Sequence, residues 1–161
     1  MKIGVISDTH IPIAAKQLPE KVYDYFRNCD FIIHAGDAIE MSVIDDLSRF
    51  AEVKAVHGNM DSPEMSRCFP EKISFVISGK RIGVVHGKGS SDKVWKTAEE
   101  LLGKDFDIII FGHSHVPFNE TKDGILFFNP GSATDKVFSP YCSFGMIEIN
   151  GNEIKAEIIK I

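Results

Sequence analysis

Seven residues able to bind a metal ion recur at one kind of place in this chain: Asp8, His10, Asp37, Asn59, His86, His113 and His115. Asp8, Asp37, Asn59, His86 and His113 each lie within a few residues of the end of a short apolar run, at 3–6, 31–33, 53–56, 82–85 and 108–111. His10 and His115 stand two residues beyond Asp8 and His113, and in extended backbone residues i and i+2 face the same side, so each pair can reach a common point. Carboxylate, imidazole and amide oxygen together favour first-row divalent ions such as Mn, Fe, Co, Ni or Zn over Mg or Ca, which prefer all-oxygen shells. Seven ligands exceed one tetrahedral zinc, whereas two ions roughly 3.5–4 Å apart that share a carboxylate would use them all. Two such ions with two aspartates leave a charge of roughly +2, which suits a phosphate anion.

The apolar runs are β-branched with little alternation, as strands buried on both faces are. Ligands collect beyond the carboxyl ends of such strands, so one sheet edge would receive all five strand-end candidates. Helical spacing lies between the runs: Leu18, Val22, Tyr25 and Phe26; then Val43, Ile44, Leu47 and Phe50, with Ser42 and Asp45 patterned as a capping box. The clearest amphipathic stretch is Val94, Trp95, Ala98, Leu101 and Leu102, entered through Ser90-Ser91-Asp92 and closed by Gly103. Hairpins are expected at Ser78-Gly79-Lys80 and at Asn150-Gly151, and beyond residue 120 the chain reads as strand, at 125–128, 142–149 and 153–161. The layout is an α/β layered domain with mixed sheets.

Composition sets the bounds. A chain of 161 residues with 43% hydrophobic and 25% charged residues is expected to form one domain over 1–161. Eighteen Lys plus Arg against 23 Asp plus Glu give a net charge of −5, which argues against a broad basic face for nucleic acid. No segment approaches the ~18 consecutive apolar residues of a membrane span, and the first residues are too short a run for a signal sequence. Cys29, Cys68 and Cys142 are odd in number and scattered, which fits reduced thiols in a cytoplasmic protein. The oligomeric state is open between monomer and homo-oligomer.

Asp8-x-His10, Gly36-Asp37, Gly58-Asn59-x-Asp61, His86-Gly87 and Gly112-His113-x-His115 stand in the order that marks the calcineurin-like metallophosphoesterases. Together with the short chain and Asn129-Pro130-Gly131-Ser132, they make the sequence resemble the small single-domain YfcE-like phosphodiesterase branch. The resemblance implies a four-layer αββα sandwich, two mixed β-sheets flanked by helices, with two metals at one edge. It implies Asp8, His10 and His115 at the first metal, Asn59, His86 and His113 at the second, and Asp37 between them. It also implies hydrolysis of a small phosphoester, foremost a phosphodiester, by a metal-bridging hydroxide attacking phosphorus, with manganese the first candidate and Ni, Co, Fe or Zn as others. A phosphomonoesterase or nucleotidase is the alternative within enzymes. The branch is related as well to the retromer subunit, which keeps the fold as a scaffold; here every ligand position is retained.

Two departures stand out. Many superfamily members have a histidine after the Gly-Asn pair, where this chain has Met60, which cannot donate a proton. The arginine that often follows the Asn-Pro-Gly-Ser motif is absent from Ser132-Ala133-Thr134-Asp135-Lys136. Asp61 is expected to orient the active site, with a catalytic role alongside Asn59. His34 is expected to be a satisfied core or supporting imidazole, and His57 a structural or rim residue. Gly87-Lys88-Gly89-Ser90 does not fit a phosphate-binding P-loop and reads as a helix-entry loop. Residues 63–70 read as a surface loop, and Trp95 with its apolar stripe as core.

Overall fold

The computed structural model describes residues 1–161. In chain order the first half runs β1 (Lys2–Ile6), α1 (Glu20–Phe26), β2 (Phe31–His34), α2 (Met41–Ser48), β3 (Glu52–Ala55), α3 (Pro63–Cys68) and β4 (Lys72–Ile77). The second half runs β5 (Lys80–Val85), α4 (Val94–Leu102), β6 (Ile108–Ile110), β7 (Phe118–Lys122), β8 (Ile125–Asn129), β9 (Ser143–Asn150) and β10 (Glu153–Lys160). Two five-stranded sheets result, in the orders β10-β9-β1-β2-β3 and β4-β5-β6-β8-β7. Both are mixed: β1, β2 and β3 are parallel to one another, as are β5, β6 and β8, and the remaining pairings are antiparallel.

The period-2 geometry of strands sorts their side chains into three apolar layers. Ile3 and Val5 of β1 face the other sheet and meet Val84, Ile108, Ile110 and Phe128 there. Ile6, on the opposite face of β1, points outward into a cluster with Val22 and Phe26 of α1 and Val43 and Leu47 of α2. In the second sheet Ile109 points away from its neighbours, toward Val94 and Ala98 of α4. Helices, sheet, sheet, helix: this is the expected four-layer arrangement. The parallel strands put their carboxyl ends at one edge, and every metal-binding candidate lies in a loop that leaves that edge.

Several local expectations shift. α2 starts after Glu40, so Ser42 is its second residue and makes no capping bond; packing of Val43, Ile44 and Leu47 holds this short helix instead. Residues 63–68 form α3, where the surface-loop reading placed none. Ser62 caps it by accepting from the Met65 N–H at 3.3 Å, Pro63 opens it, and Met65 is fully buried. The two-residue hairpin loops are Ser78-Gly79, within the expected turn, and Gly151-Asn152, one position past the expected Asn150-Gly151. β7 had no counterpart in the sequence reading, because Asn119, Glu120, Thr121 and Lys122 carry no apolar alternation; as an edge strand it needs none. Trp95 is half-buried rather than core, stacked on Phe118 at 6.5 Å with the Lys122 ammonium 4.9 Å from its ring centroid.

Candidate metal centre

The seven candidate ligands come together at the common edge of the two sheets. Asp8 and Asp37 are buried, and their oxygens form two groups of potential ligand atoms, Asp8 with His10 and His115, and Asp8 with Asp37 and His86, each within 4.8 Å. His86 Nε2 lies 3.2 Å from Asp37 Oδ2 and 3.9 Å from Asp8 Oδ1. His10 Nε2 lies 3.7 Å from Asp37 Oδ2, and His115 Nε2 lies 3.4 Å from Asp8 Oδ1. Asn59 and His113 close the far side, with His113 Nδ1 3.1 Å from Asn59 Oδ1 and its ring 5.3 Å from that of His86.

Backbone geometry concentrates here as well. Asp8, His10, Asp37, His113 and His115 all adopt positive φ, between 46° and 68°. For residues other than glycine that conformation costs on the order of 1 kcal/mol or more, and it persists only where surrounding bonds over-determine it. Those bonds are present. The Asp8 N–H donates to Gly36 O and the His10 N–H to Asp37 O, both at 3.0 Å, which staples the first loop to the second. The His113 N–H donates to both Asp8 oxygens at 3.0 and 3.2 Å, which ties the two sheets together. Two glycines allow the close approach: a Cβ on Gly112 would strike Ser7 Oγ and stand 2.8 Å from Asp8 Oδ2, and one on Gly58 would strike Asp37 Oδ1.

The Asn129-Pro130-Gly131-Ser132 segment acts as a clamp behind the ligands. Asn129 donates to Gly112 O at 2.9 Å and to Ser114 Oγ at 3.0 Å, and Ser132 donates to Asp8 O at 2.7 Å.

Carboxylates and imidazoles set one another's protonation in the cluster. Burial alone would push the His86 pKa down, but the close approach of Asp37 and the charges of Asp8 and Asp37 raise it to about 9. His115 follows the same pattern: burial opposes protonation, and the bonds and charges of Asp8 and Asp135 raise it to about 9. Burial would raise the Asp37 pKa, yet His86, the Met60 N–H and His10 together lower it. His113 is lowered, by burial and by the neighbouring His86. The ring atoms His10 Nε2 and His86 Nε2 are buried with no hydrogen-bond partner. An imidazole nitrogen left bare beside carboxylates is what a metal ligand presents, and at His86 the other nitrogen is held by Ala35 O at 2.8 Å. The residues therefore fit divalent ions of the first transition row.

Comparison with known proteins decides the family. Residues 1–152 match the calcineurin-like phosphoesterase superfamily domain. A probable metallophosphoesterase of Methanothermobacter thermautotrophicus is 37% identical over 165 aligned residues, covering 99% of this chain and 92% of that protein. The chain belongs to this superfamily. A phosphodiesterase of Methanocaldococcus jannaschii is 29% identical over 150 aligned residues, covering 81% of this chain and 83% of that one. Among solved structures, vacuolar protein sorting 29 from Cryptosporidium parvum superposes with a TM-score of 0.85 at 26% identity, over 99% of this chain and 91% of that one.

Within this family setting, Asp61 sits behind the ligands rather than among them. Its carboxylate accepts from the main-chain N–H groups of Gly58 at 2.7 Å, Asp37 at 3.0 Å and Ile39 at 2.6 Å. It orients the Asp37 and Asn59 loops, and both its oxygens are engaged. The Met60 N–H donates to Asp37 Oδ1 at 2.7 Å, while its side chain is 48% exposed at the mouth. His34 is a satisfied core imidazole: Thr9 Oγ1 lies 3.1 Å from Nε2, the Gly36 N–H donates to Nδ1 at 3.2 Å, and burial lowers its pKa to about 4. His57 and exposed Lys88 line a cavity of about 380 Å³ beside His86 and His113. The largest cleft, about 510 Å³ between α1 and α2, contains none of the seven candidates. No helix is long and apolar enough to cross a membrane.

One residue was missed by sequence reasoning. Asp135 accepts a hydrogen bond from His115 Nδ1 and is itself held by the main-chain N–H groups of Val137 at 2.7 Å and Phe138 at 3.2 Å. The segment departs from the family pattern by lacking an arginine, and an acid there carries no local signature of its pairing with a distant histidine. The available signal was an acid a few residues past a conformationally fixed Asn-Pro-Gly-Ser turn.

Proposed function

We propose that this chain is a phosphodiesterase that works with two divalent ions, manganese foremost, on a small phosphoester. Asp8, His10 and His115 would hold one ion, Asn59, His86 and His113 the other, and Asp37, whose Oδ2 lies between His10 and His86, would serve both. The observation that carries the reading is the pair of buried, unpartnered Nε2 atoms of His10 and His86 facing the Asp8 and Asp37 carboxylates. Divalent ions bound there would lower the pKa of water toward about 7 and stabilise charge developing on phosphoryl oxygens.

The chain's own residues supply the rest. Ala35 O fixes His86 through Nδ1 at 2.8 Å, and Asp135 fixes His115 through its Nδ1, so each ring offers Nε2 inward. Met60 provides no proton at the mouth, and Asp61 is fully engaged by main-chain donors, so esters with low-pKa leaving groups are favoured. The test is a panel of phosphoesters with Mn, Ni, Co and Zn. Turnover of bis(p-nitrophenyl) phosphate above that of p-nitrophenyl phosphate is expected, and Asp37→Ala should lose more than the ~100-fold that a supporting residue costs. Metal-loaded protein inert toward every simple diester and monoester would refute the reading. The likeness to a sorting protein favours a second reading, a protein-binding scaffold, under which purified chain would hold no stoichiometric pair of ions.

A further inference from the structure

Nine large apolar residues of the chain are exposed, and three of them, Met60, Val116 and Phe138, border a single cavity of about 420 Å³. The floor of that cavity includes His10, Asp37, Asn59 and His115, so the apolar rim stands directly over the candidate ligands. We propose that Phe138, flanked by Met60 and Val116, is a specificity-determining platform that selects phosphoesters bearing a flat aromatic or heteroaromatic ring beside the phosphorus. This rests on the phosphoesterase reading and adds the substrate's non-reacting part.

Two features separate Phe138 from a loop residue that happens to be exposed. It is 76% exposed, yet its main-chain N–H donates to the Asp135 carboxylate at 3.2 Å, the same carboxylate that takes the His115 Nδ1 hydrogen bond. That bond anchors the Phe138 backbone beside the site, and its ring lies 6.1 Å from the His115 ring, edge-on at 76°. A phenyl face left in water is unfavourable relative to burial, and this one is tethered where only something entering the cavity would cover it. Charge selects the same class of ligand. No Lys or Arg lines this cavity, so no side chain there rewards a second phosphate charge. A singly charged diester with an apolar ring matches the lining; a polyphosphate does not.

The experiment is calorimetric titration of manganese-loaded protein with phenylphosphonate and with methylphosphonate, alongside the ester panel. The wild type should prefer the phenyl ligand, and Phe138→Ala should weaken phenylphosphonate binding roughly 5- to 50-fold while shifting methylphosphonate by less than about twofold. Phe138→Trp should keep the preference. Because the side chain is exposed, the alanine variant is expected to fold, and its melting temperature checks this. An unchanged phenyl-to-methyl ratio in Phe138→Ala, or no preference in the wild type, overturns the proposal even if diester hydrolysis is intact. Preference lost in the variant while no ester is hydrolysed supports the platform and sinks the phosphodiesterase reading instead.

Discussion

Replacing Asp135 tests how the centre is held. Asp135 is 7% exposed and accepts from His115 Nδ1 and from the Val137 and Phe138 N–H groups, while its own N–H donates to Ser132 Oγ at 2.9 Å. Asp135→Ala removes every side-chain bond at once. Leaving part-buried donors without an acceptor costs at most about 1–3 kcal/mol, which for a chain of this size is a fall in Tm of roughly 2–10 °C. The larger consequence is at His115, whose ring would be free to rotate and whose Nε2 would lose its aim. Loss of a carboxylate behind a ligating histidine costs about 10- to 100-fold in metal affinity. Asp135→Asn keeps the volume and one acceptor oxygen, so it should fall between wild type and alanine. Metal affinity is read by competition against a chromophoric chelator, with the melting temperature measured on the same samples. If Asp135→Ala binds manganese within twofold of wild type while His115→Ala does not, the orienting argument is wrong. A fall in Tm without a fall in affinity would assign Asp135 to loop stability alone.

Other consequences are open to measurement. Gly112→Ala places a methyl against Ser7 Oγ and Asp8 Oδ2 and should cost about 1–3 kcal/mol together with weakened metal binding; adding Ser7→Ala should recover part of the loss, and a single variant indistinguishable from wild type would count against the close approach. Tyr23 donates to Asp46 Oδ2 at 2.5 Å, and burial, that bond and the Asp46 charge raise its pKa from 10.0 to about 12. The folded state thus favours protonated Tyr23, a contribution complete below pH 10 and lost as pH rises through about 12. Tyr23→Phe should lower stability by about 1 kcal/mol at neutral pH, and its gap from wild type in urea midpoint should narrow above pH 10; a constant gap would contradict the linkage.

The parts legible in sequence were those governed by local rules. Five apolar runs became β1, β2, β3, β5 and β6 within a residue or two of their expected bounds; β1, β2 and β6 are buried almost throughout, while β3, an edge strand, is only partly buried. The candidate ligand set was legible as a convergence at one edge because residue types at strand ends carry chemistry independent of packing. β7 and α3 were not. β7 is a polar edge whose strand character comes from pairing with β8, and α3 is a short helix held by the burial of Met65. Asp61 could be named but not placed: sequence alone did not distinguish a carboxylate facing the substrate from one bonded to three main-chain N–H groups.

What the sequence by itself determined is the inventory: seven candidate ligands in order, a methionine where a proton donor is common, and one α/β layout whose strands end together. The tertiary structure decided how that inventory is held. Five of the seven sit at positive φ, a conformation with an intrinsic cost, sustained by bonds from residues as far apart as Asp8 and His113. The alliance of Asp135 with His115 and Phe138 also exists only after folding, since it joins a loop after β6 to one after β8. Local propensity acts over a few residues, whereas aim, burial and strain depend on which distant groups meet. Those meetings are where the identity of a ligand becomes a geometry able to act on one.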